Sequence, residues 1–192
     1  GFNLKNVHQE GIGINQIKMV PCDENGHMNT NSLKIMINNT IKNGNCPFFV
    51  GATAGTTVRG AFDPINQISD ICNEFNIWLH IDGSWGGPVL LSKKYKYLLE
   101  SSERSDSFTW CCHKMMGIPL VCTAIILKDK NLLKNINEIE NTDYLFHDNN
   151  DQFDLGRFSL QCGRKVDSLK LFLTWKYFGD IGFERKINHL FK

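Results

Sequence analysis

The sequence has no long apolar run and no excess of one charge. No apolar run approaches the ~20 residues that a transmembrane helix requires, and residues 1–7 contain no apolar segment of a signal peptide. Neither charge is in excess, because 21 Lys and Arg residues face 20 Asp and Glu residues, a formal net charge of +1. No basic stripe is interleaved with aromatic residues. We therefore expect neither a nucleic-acid partner nor a membrane span.

The sequence also lacks a C-x-x-C motif, although it contains seven cysteines. This absence argues against zinc-knuckle and thioredoxin-like sites, and an odd number of cysteines cannot all pair within one chain. Cys46, Cys72 and Cys122 stand in apolar segments, which is typical of small buried hydrophobic residues. We expect a reducing, cytoplasmic setting.

Two glycine patterns are incomplete. Residues 55–60 have the glycine spacing of a phosphate-binding P-loop, but Ala61 and Phe62 replace the Lys and the Ser or Thr that bind phosphate and magnesium. The pair Gly11 and Gly13 lacks the third glycine of a dinucleotide fingerprint, because position 16 is Gln. Neither pattern predicts a nucleotide site.

Along the chain, short apolar runs alternate with segments whose apolar residues recur at helical spacing. A length of 192 residues is enough for one domain with a hydrophobic core. Strands are predicted at residues 17–20, 47–53, 77–82, 107–110 and 123–127. Helices are predicted to begin near residues 31 and 63 and to cover residues 166–178. This order indicates an α/β fold with a mostly parallel sheet, right-handed crossovers and helices on both faces.

Two later segments differ from the rest. Residues 131–161 are polar and irregular, which predicts a loop or lid. The helix at residues 166–178 is apolar all round and precedes Gly179, where we expect it to end. Such a helix is either covered on two sides or forms a subunit interface.

An acid and an amine stand at two predicted strand ends. Asp82 ends the strand at residues 77–82, and Lys114 follows the strand at residues 107–110. Open α/β sheets place ligands at the carboxyl ends of their strands. Pyridoxal phosphate (PLP) needs such a pair, because a lysine forms its Schiff base and an acid holds its pyridine nitrogen protonated. A purely structural Asp–Lys pair remains open from the residues alone.

Two other chemistries use the same segments. His80, Asp82 and His113 could bind a metal, although they show no established ligand spacing, and His80 is equally a core histidine with satisfied hydrogen bonds. Cys111 or Cys112 beside His113 could act as a nucleophilic thiol, although packing explains both cysteines as well.

Five ordered motifs resemble the group II PLP-dependent decarboxylases, in particular the glutamate and cysteine sulfinate decarboxylase branch. They are F-V-G-A-T-A-G-T-T-V-R-G-A-F-D-P (49–64), H-I-D-G-S-W-G-G (80–87), H-K-M-M-G (113–117), Y-L-F (144–146) and Q-C-G-R-K-V-D (161–167). The resemblance covers nearly the whole chain. It implies a fold-type I PLP enzyme, a homodimer whose large domain this chain, residues 1–192, supplies in part, without the N-terminal segment and the C-terminal small domain.

The resemblance also assigns roles to particular residues. Lys114 would be the Schiff-base lysine, Asp82 would pair with the pyridine nitrogen, and His113 would help to hold the phosphate. Thr57 would lie near the cofactor, and Ser84 takes the place of a small residue against the cofactor ring. Tyr144 would protonate the substrate carbon from a mobile loop.

The resemblance implies decarboxylation of an acidic amino acid, most simply glutamate to 4-aminobutanoate. The alternatives are a cysteine sulfinate or aspartate decarboxylase, or a non-catalytic truncated paralogue that keeps only the dimerising scaffold. Cys111 and Cys112 stand where the family has Asn-Pro, a departure that favours the paralogue. We expect the 192-residue chain alone to be inactive.

Overall fold

The computed structural model describes residues 13–137, 158, 163 and 165–191. Its centre is a four-stranded sheet in the order β1-β2-β3-β4. The strands are β1 (Phe49–Thr53), β2 (Trp78–Asp82), β3 (Ser107–Cys111) and β4 (Thr123–Leu127). The pairs β1–β2 and β2–β3 are parallel, whereas β4 runs antiparallel to β3. The four predicted strands after residue 40 are confirmed, and the sheet is mostly parallel as expected.

Four α-helices accompany the sheet. They are α1 (Thr30–Lys42), α2 (Ile65–Phe75), α3 (Leu132–Asn137) and α4 (Asp167–Leu190). Short 3₁₀ helices lie at Ile14–Gln16, Gly87–Leu91, Lys96–Leu99 and Ser102–Arg104. Within the described residues, no helix is long and apolar enough to cross a membrane.

Local sequence explains where α1 and α2 begin and end. The Asn29 side chain accepts a hydrogen bond from the Ser32 backbone N–H and so caps the first turn of α1. Helix α2 buries Ile65, Ile68 and Ile71 on one side, which confirms the predicted stripe. It ends at Asn76, which adopts the left-handed conformation with φ 51°.

The main hydrophobic core lies between the sheet and the helices α1 and α2. It includes Leu79 and Ile81 of β2, Ala52 of β1 and Ile68 of α2, all of which are almost completely inaccessible to solvent. Burial of such side chains stabilises each by about 1.5–3 kcal/mol relative to exposure. The core therefore holds the carboxyl ends of β1 and β2 in a fixed relation.

Two sequence predictions about the beginning of the chain are wrong. Residues 17–20 form no strand, because no segment of the described chain pairs with them, and Met19 is exposed. Cys46 is also exposed, because it lies in the loop before β1 and not within the strand, whereas Cys72 and Cys122 are buried as predicted.

Helix α4 starts as predicted but does not stop at Gly179. The backbone of Gly179 leaves helical geometry, with φ 62° and ψ 179°, and a second helical segment follows it as far as Leu190. Before the kink, Leu169, Phe172 and Leu173 are more than half exposed within the described chain. These three side chains are therefore not covered by the described residues, whereas Leu171 and Trp175 of the same segment pack against the buried cluster that contains Phe183.

Candidate active site

Asp82 is held at the carboxyl end of β2 by the neighbouring loop. Its backbone carbonyl accepts a hydrogen bond from the Ala54 N–H at 2.9 Å, and its Oδ1 accepts one from the Ser84 N–H at 3.0 Å. Burial acts to raise the pKa of this half-buried carboxyl, whereas hydrogen bonds from Ser84 and the electrostatic effect of nearby His80 act to lower it, and the pKa lies below its ordinary value. Asp82 is therefore ionised at neutral pH.

The loop after Asp82 packs tightly against the loop after β1. Gly86 donates its N–H to the Ala54 carbonyl at 2.9 Å. Gly55 has φ 81°, and a Cβ added there would lie 2.9 Å from the Gly86 nitrogen. Only glycine permits both the conformation and the contact, so these residues set the separation of the two loops.

Lys114 lies in a turn that follows β3. Its backbone N–H donates to the Cys111 carbonyl at 3.2 Å, and its carbonyl accepts from the Gly117 N–H at 2.9 Å. The Lys114 Nζ atom lies 5.7 Å from the centroid of the Trp85 ring, within range of a cation–π contact. Trp85 belongs to the loop that follows Asp82, so the structure brings the turn of Lys114 against the loop of Asp82.

The imidazole of His113 is oriented by one neighbour. Its Nδ1 lies 3.0 Å from the Cys122 backbone nitrogen and 2.9 Å from the Cys122 carbonyl oxygen. The tautomer of the ring decides which of these two contacts is a hydrogen bond. Either one holds the ring against Cys122 by its Nδ1 atom.

The loop at residues 55–61 uses most of its backbone N–H groups in its own hydrogen bonds. The N–H groups of Gly55, Thr56 and Gly60 all donate to carbonyls within the loop, at 2.8–3.0 Å. Their engagement leaves them unable to cradle a phosphate as in a P-loop, which agrees with the incomplete motif. Thr57 is exposed on this loop, and Ser84 is half-buried beside Asp82.

His80 has partners on both ring nitrogens. Nδ1 lies 2.7 Å from the Ser107 hydroxyl, and Nε2 lies 3.3 Å from the Thr109 hydroxyl. Burial lowers its pKa and outweighs the opposite effect of Asp82, so the ring is neutral at pH 7. The interpretation of His80 as a satisfied histidine is confirmed. In the described part of the chain, no three His, Cys, Asp or Glu side chains are placed to hold a metal ion.

The cysteines before Lys114 pack against β4. Cys112 and Cys122 are buried in one cluster with Met116, Ile118 and Phe183. The hydroxyl of Thr123 donates to the Cys111 sulfur at 3.4 Å. Burial, reinforced by the neighbouring Cys122, raises the pKa of the Cys112 thiol to about 12. These contacts support the packing explanation for Cys112.

We therefore expect alkylation to separate the cysteines by position. Iodoacetamide at about pH 8 should label the exposed Cys22 and Cys46 of the native full-length protein and spare Cys72 and Cys112. Both protected thiols have a pKa of about 12, so roughly one molecule in ten thousand carries a thiolate at that pH. Peptide mapping before and after denaturation measures this. Labelling of native Cys112 as fast as Cys46 would contradict the prediction.

Sequence reasoning missed two residues that the structure places beside the site. Trp85 contacts Lys114, and its position in the glycine-rich loop after Asp82 was a usable signal. Asp63 is buried, and its carboxylate accepts N–H bonds from Met28 and Thr53, each at 2.7 Å, which fixes the end of β1. No local pattern identifies that role. Tyr144 lies outside the described residues.

The side chains at this edge fit pyridoxal phosphate by their chemistry. The cofactor carries a ring nitrogen that binds an ionised carboxylate, an aldehyde that binds an amine, and a phosphate that binds donors. The half-buried Asp82 carboxylate, the Lys114 amine and the His113 imidazole supply these three kinds of group. Two parallel strands deliver Asp82 and Lys114 to the same edge.

Comparison with known proteins shows which family the chain belongs to. Residues 8–192 match the family described as the pyridoxal-dependent decarboxylase conserved domain. The chain therefore belongs to the pyridoxal-dependent decarboxylase family, as its five motifs predicted. Solved structures of similar proteins, including mouse CSAD, share its fold, which confirms the expected partial fold-type I large domain.

Three relatives define the degree of similarity. An L-aspartate decarboxylase of Metarhizium robertsii is 42% identical over 184 residues, which cover 95% of this chain and 36% of the relative. Mouse CSAD is 41% identical, with a TM-score of 0.91 over 98% of this chain and 39% of its own. A tryptophan decarboxylase of Catharanthus roseus, solved with L-tryptophan, is 29% identical, with a TM-score of 0.82 over 95% of this chain and 37% of its own. The chain thus spans less than two fifths of the length of these proteins.

Proposed function

We propose that the full-length protein to which this chain belongs is a PLP-dependent carboxy-lyase that acts on an acidic amino acid. The observation that carries the proposal is the approach of the Lys114 turn to the loop of Asp82, marked by the 5.7 Å separation of Lys114 Nζ from the Trp85 ring centroid. The turn that carries the Lys114 amine thus approaches the loop that follows an ionised carboxylate at the carboxyl edge of parallel strands, which supports a PLP site here. In this proposal residues 1–192 form part of the PLP-binding large domain.

Each residue has a defined task in this proposal. When bound, PLP supplies an electron sink for the pair of electrons that departing CO₂ leaves on the substrate. Asp82 would accept a charge-assisted hydrogen bond from the protonated ring nitrogen, because its lowered pKa keeps it ionised. Lys114 would be the residue that holds the aldehyde group of the cofactor, through its side-chain amine.

The remaining site residues would orient the cofactor. His113 would bind the phosphate through the ring nitrogen that does not contact the Cys122 backbone. Ser84 donates its backbone N–H to the Asp82 carboxylate and would lie beside the ring, and Thr57, on its exposed loop, would lie near the cofactor. Tyr144 returns a proton to the substrate Cα as a general acid.

The choice among acidic substrates rests on different arguments. The motifs of this sequence favour glutamate, with 4-aminobutanoate as product. The relative named L-aspartate decarboxylase, at 42% identity, favours aspartate, and mouse CSAD at 41% identity fits the alternative of cysteine sulfinate or aspartate. Aspartate and cysteine sulfinate are therefore the first substrates to assay, and glutamate is the next.

Borohydride trapping of the full-length protein tests the proposal. Reduction after incubation with PLP, followed by peptide mapping, should place a pyridoxyl adduct on Lys114. The variant Lys128→Arg, in which the changed lysine is exposed after β4, should give the same adduct. An unmodified Lys114 on a folded protein would overturn the enzyme proposal and support the non-catalytic paralogue.

A substrate panel completes the test. Carbon dioxide release from aspartate, cysteine sulfinate and glutamate is compared with release from tryptophan, which is chosen because a tryptophan decarboxylase shares the fold. We expect turnover of at least one acidic substrate and none of tryptophan. Turnover of tryptophan alone would contradict the proposed substrate class.

Two broader properties belong to the same proposal. We propose a homodimer, supported by the exposed apolar residues of α4 before its kink, such as Phe172 and Leu173. Sedimentation of the full-length protein would measure this, and a monomer would refute it. We also propose a cytoplasmic location, supported by buried unpaired cysteines such as Cys72 and Cys112, and cell fractionation would test it.

A further inference from the structure

The segment of α4 after the kink contacts two parts of the candidate site. One is the chain that follows the loop of Asp82, and the other is the turn of Lys114. On one side, Glu184 accepts the Lys93 backbone N–H at 2.9 Å, and Asn188 accepts from the Ser92 hydroxyl at 2.5 Å. Ser92 and Lys93 follow the 3₁₀ helix Gly87–Leu91, which itself follows the loop of Asp82. On the other side, Lys186 donates from Nζ to the carbonyl of Met116 at 2.7 Å. Met116 belongs to the turn of Lys114.

Helical geometry explains why one segment reaches both loops. Glu184 and Asn188 are four residues apart and share a face, whereas Lys186 points about 180° away from their midpoint. Between these two flanks, Phe183 and Ile187 are completely buried. The segment therefore buries its apolar face in the core. Its two polar faces contact the chain after the loop of Asp82 on one side and the turn of Lys114 on the other.

The turn of Lys114 is shaped to receive Lys186. Gly117 has φ 69°, and a Cβ added to it would lie 2.7 Å from the Lys186 Nζ atom. The Met116 side chain is completely buried beside Phe183, so its carbonyl cannot easily move away from the ammonium group. The same ammonium lies 5.4 Å from the centroid of the Phe178 ring. A hydrogen bond from a charged donor is stronger than a neutral one, and this bond is partly shielded from water.

We propose that Lys186 is a positioning residue for Lys114. It binds the Met116 carbonyl, two residues after Lys114. This contact fixes the turn and thereby the position of the Lys114 amine relative to the loop of Asp82. Lys186 is not a catalytic residue, because it acts on the backbone of the turn and not on cofactor or substrate. This inference rests on the proposed function, since it concerns the lysine that binds PLP.

Three variants of the full-length protein test the inference. Lys186→Met removes the charge and the donor but keeps the apolar stem, and Lys186→Arg keeps a donor. Lys176→Met is the matched control, because Lys176 is on the same helix and lies 5.5 Å from the Phe172 ring centroid, outside the turn of Lys114. The measurements are the apparent Kd for PLP by titration of the apoprotein, the yield of borohydride adduct on Lys114, and the Tm of the apoprotein.

We expect Lys186→Met to weaken PLP binding about tenfold and to lower the adduct yield at limiting PLP, because a charge-assisted hydrogen bond is lost. The apoprotein should stay folded, with a Tm below that of Lys176→Met because a partly buried charge-assisted hydrogen bond is lost. Lys186→Arg should recover PLP binding to within about threefold of wild type. Equal PLP affinity in Lys186→Met and Lys176→Met, with a normal adduct in the wild type, would overturn this inference alone. An absent adduct in the wild type would overturn the proposed function and this inference with it.

If Lys186→Met does not fold, Gly117→Ala takes its place. The added Cβ displaces the ammonium from Met116 while every charge remains, and alanine at φ 69° also strains the turn, so a loss of PLP affinity at least as large is expected. Wild-type affinity in a folded Gly117→Ala protein would then overturn the inference.

Discussion

Replacement of Lys114 by alanine should abolish decarboxylation by the full-length protein, with a loss of kcat of about a thousandfold or more. The variant loses both the amine that binds the cofactor covalently and a group that exchanges protons at the reacting atoms. The measurement is carbon dioxide release at saturating substrate and PLP, on protein whose Tm shows that it is folded. Lys114 is only half-buried and donates no recorded side-chain hydrogen bond in the described structure, so we expect the fold to survive.

A matched variant makes this result specific. Lys128→Ala removes an exposed lysine that follows β4 and should keep wild-type activity. If Lys114→Ala kept more than about a tenth of wild-type kcat, the assignment of Lys114 as the cofactor lysine would fail.

The second large effect is expected for Asp82→Asn. Asparagine has the same shape as aspartate but carries no charge, so the protonated form of the cofactor ring is no longer favoured. We expect kcat to fall about 10²–10³-fold, the size typical for loss of one aligned electrostatic contact. Steady-state kinetics with PLP in excess measure the effect and separate it from weaker cofactor binding.

The pH dependence of this effect follows from the pKa of Asp82. Its pKa in the folded protein lies below 3.8, so the carboxylate stays charged above that value and is protonated only as the pH falls further. The ratio of wild-type to Asp82→Asn kcat should therefore be constant between about pH 6 and pH 8. A ratio that changed tenfold over this range would show that Asp82 titrates there. Asp70→Asn, at an exposed ion pair with Arg104, is the control and should keep wild-type activity.

The elements that follow a simple local pattern were predicted from the sequence. Helix α2 shows a stripe of isoleucines at helical spacing, and β1 and β2 are short apolar runs that end at polar residues. Burial of one helix face or of both strand faces imposes these periods on the sequence itself. The same is true of the site's chemistry, because the motifs around Asp82 and Lys114 are contiguous.

Features that depend on distant residues were not predictable in this way. Residues 17–20 have the composition of a strand but no partner in the described chain, and a strand requires one. The second segment of α4 begins after a glycine that normally ends a helix, and Phe183 and Ile187 stabilise it by burial in the core. Tertiary packing outweighs local propensity at both places.

The sequence by itself determined the family and the order of strands along the chain, and it predicted the donor set of Asp82, Lys114 and His113. Tertiary structure alone decided that Trp85 lies 5.7 Å from the Lys114 amine and that His113 is anchored on Cys122. It also decided that Lys186, 70 residues after Met116, binds the carbonyl of that residue. The reason is physical: residue types and their periods are local properties, whereas a contact between separate segments exists only after the core has fixed their distance.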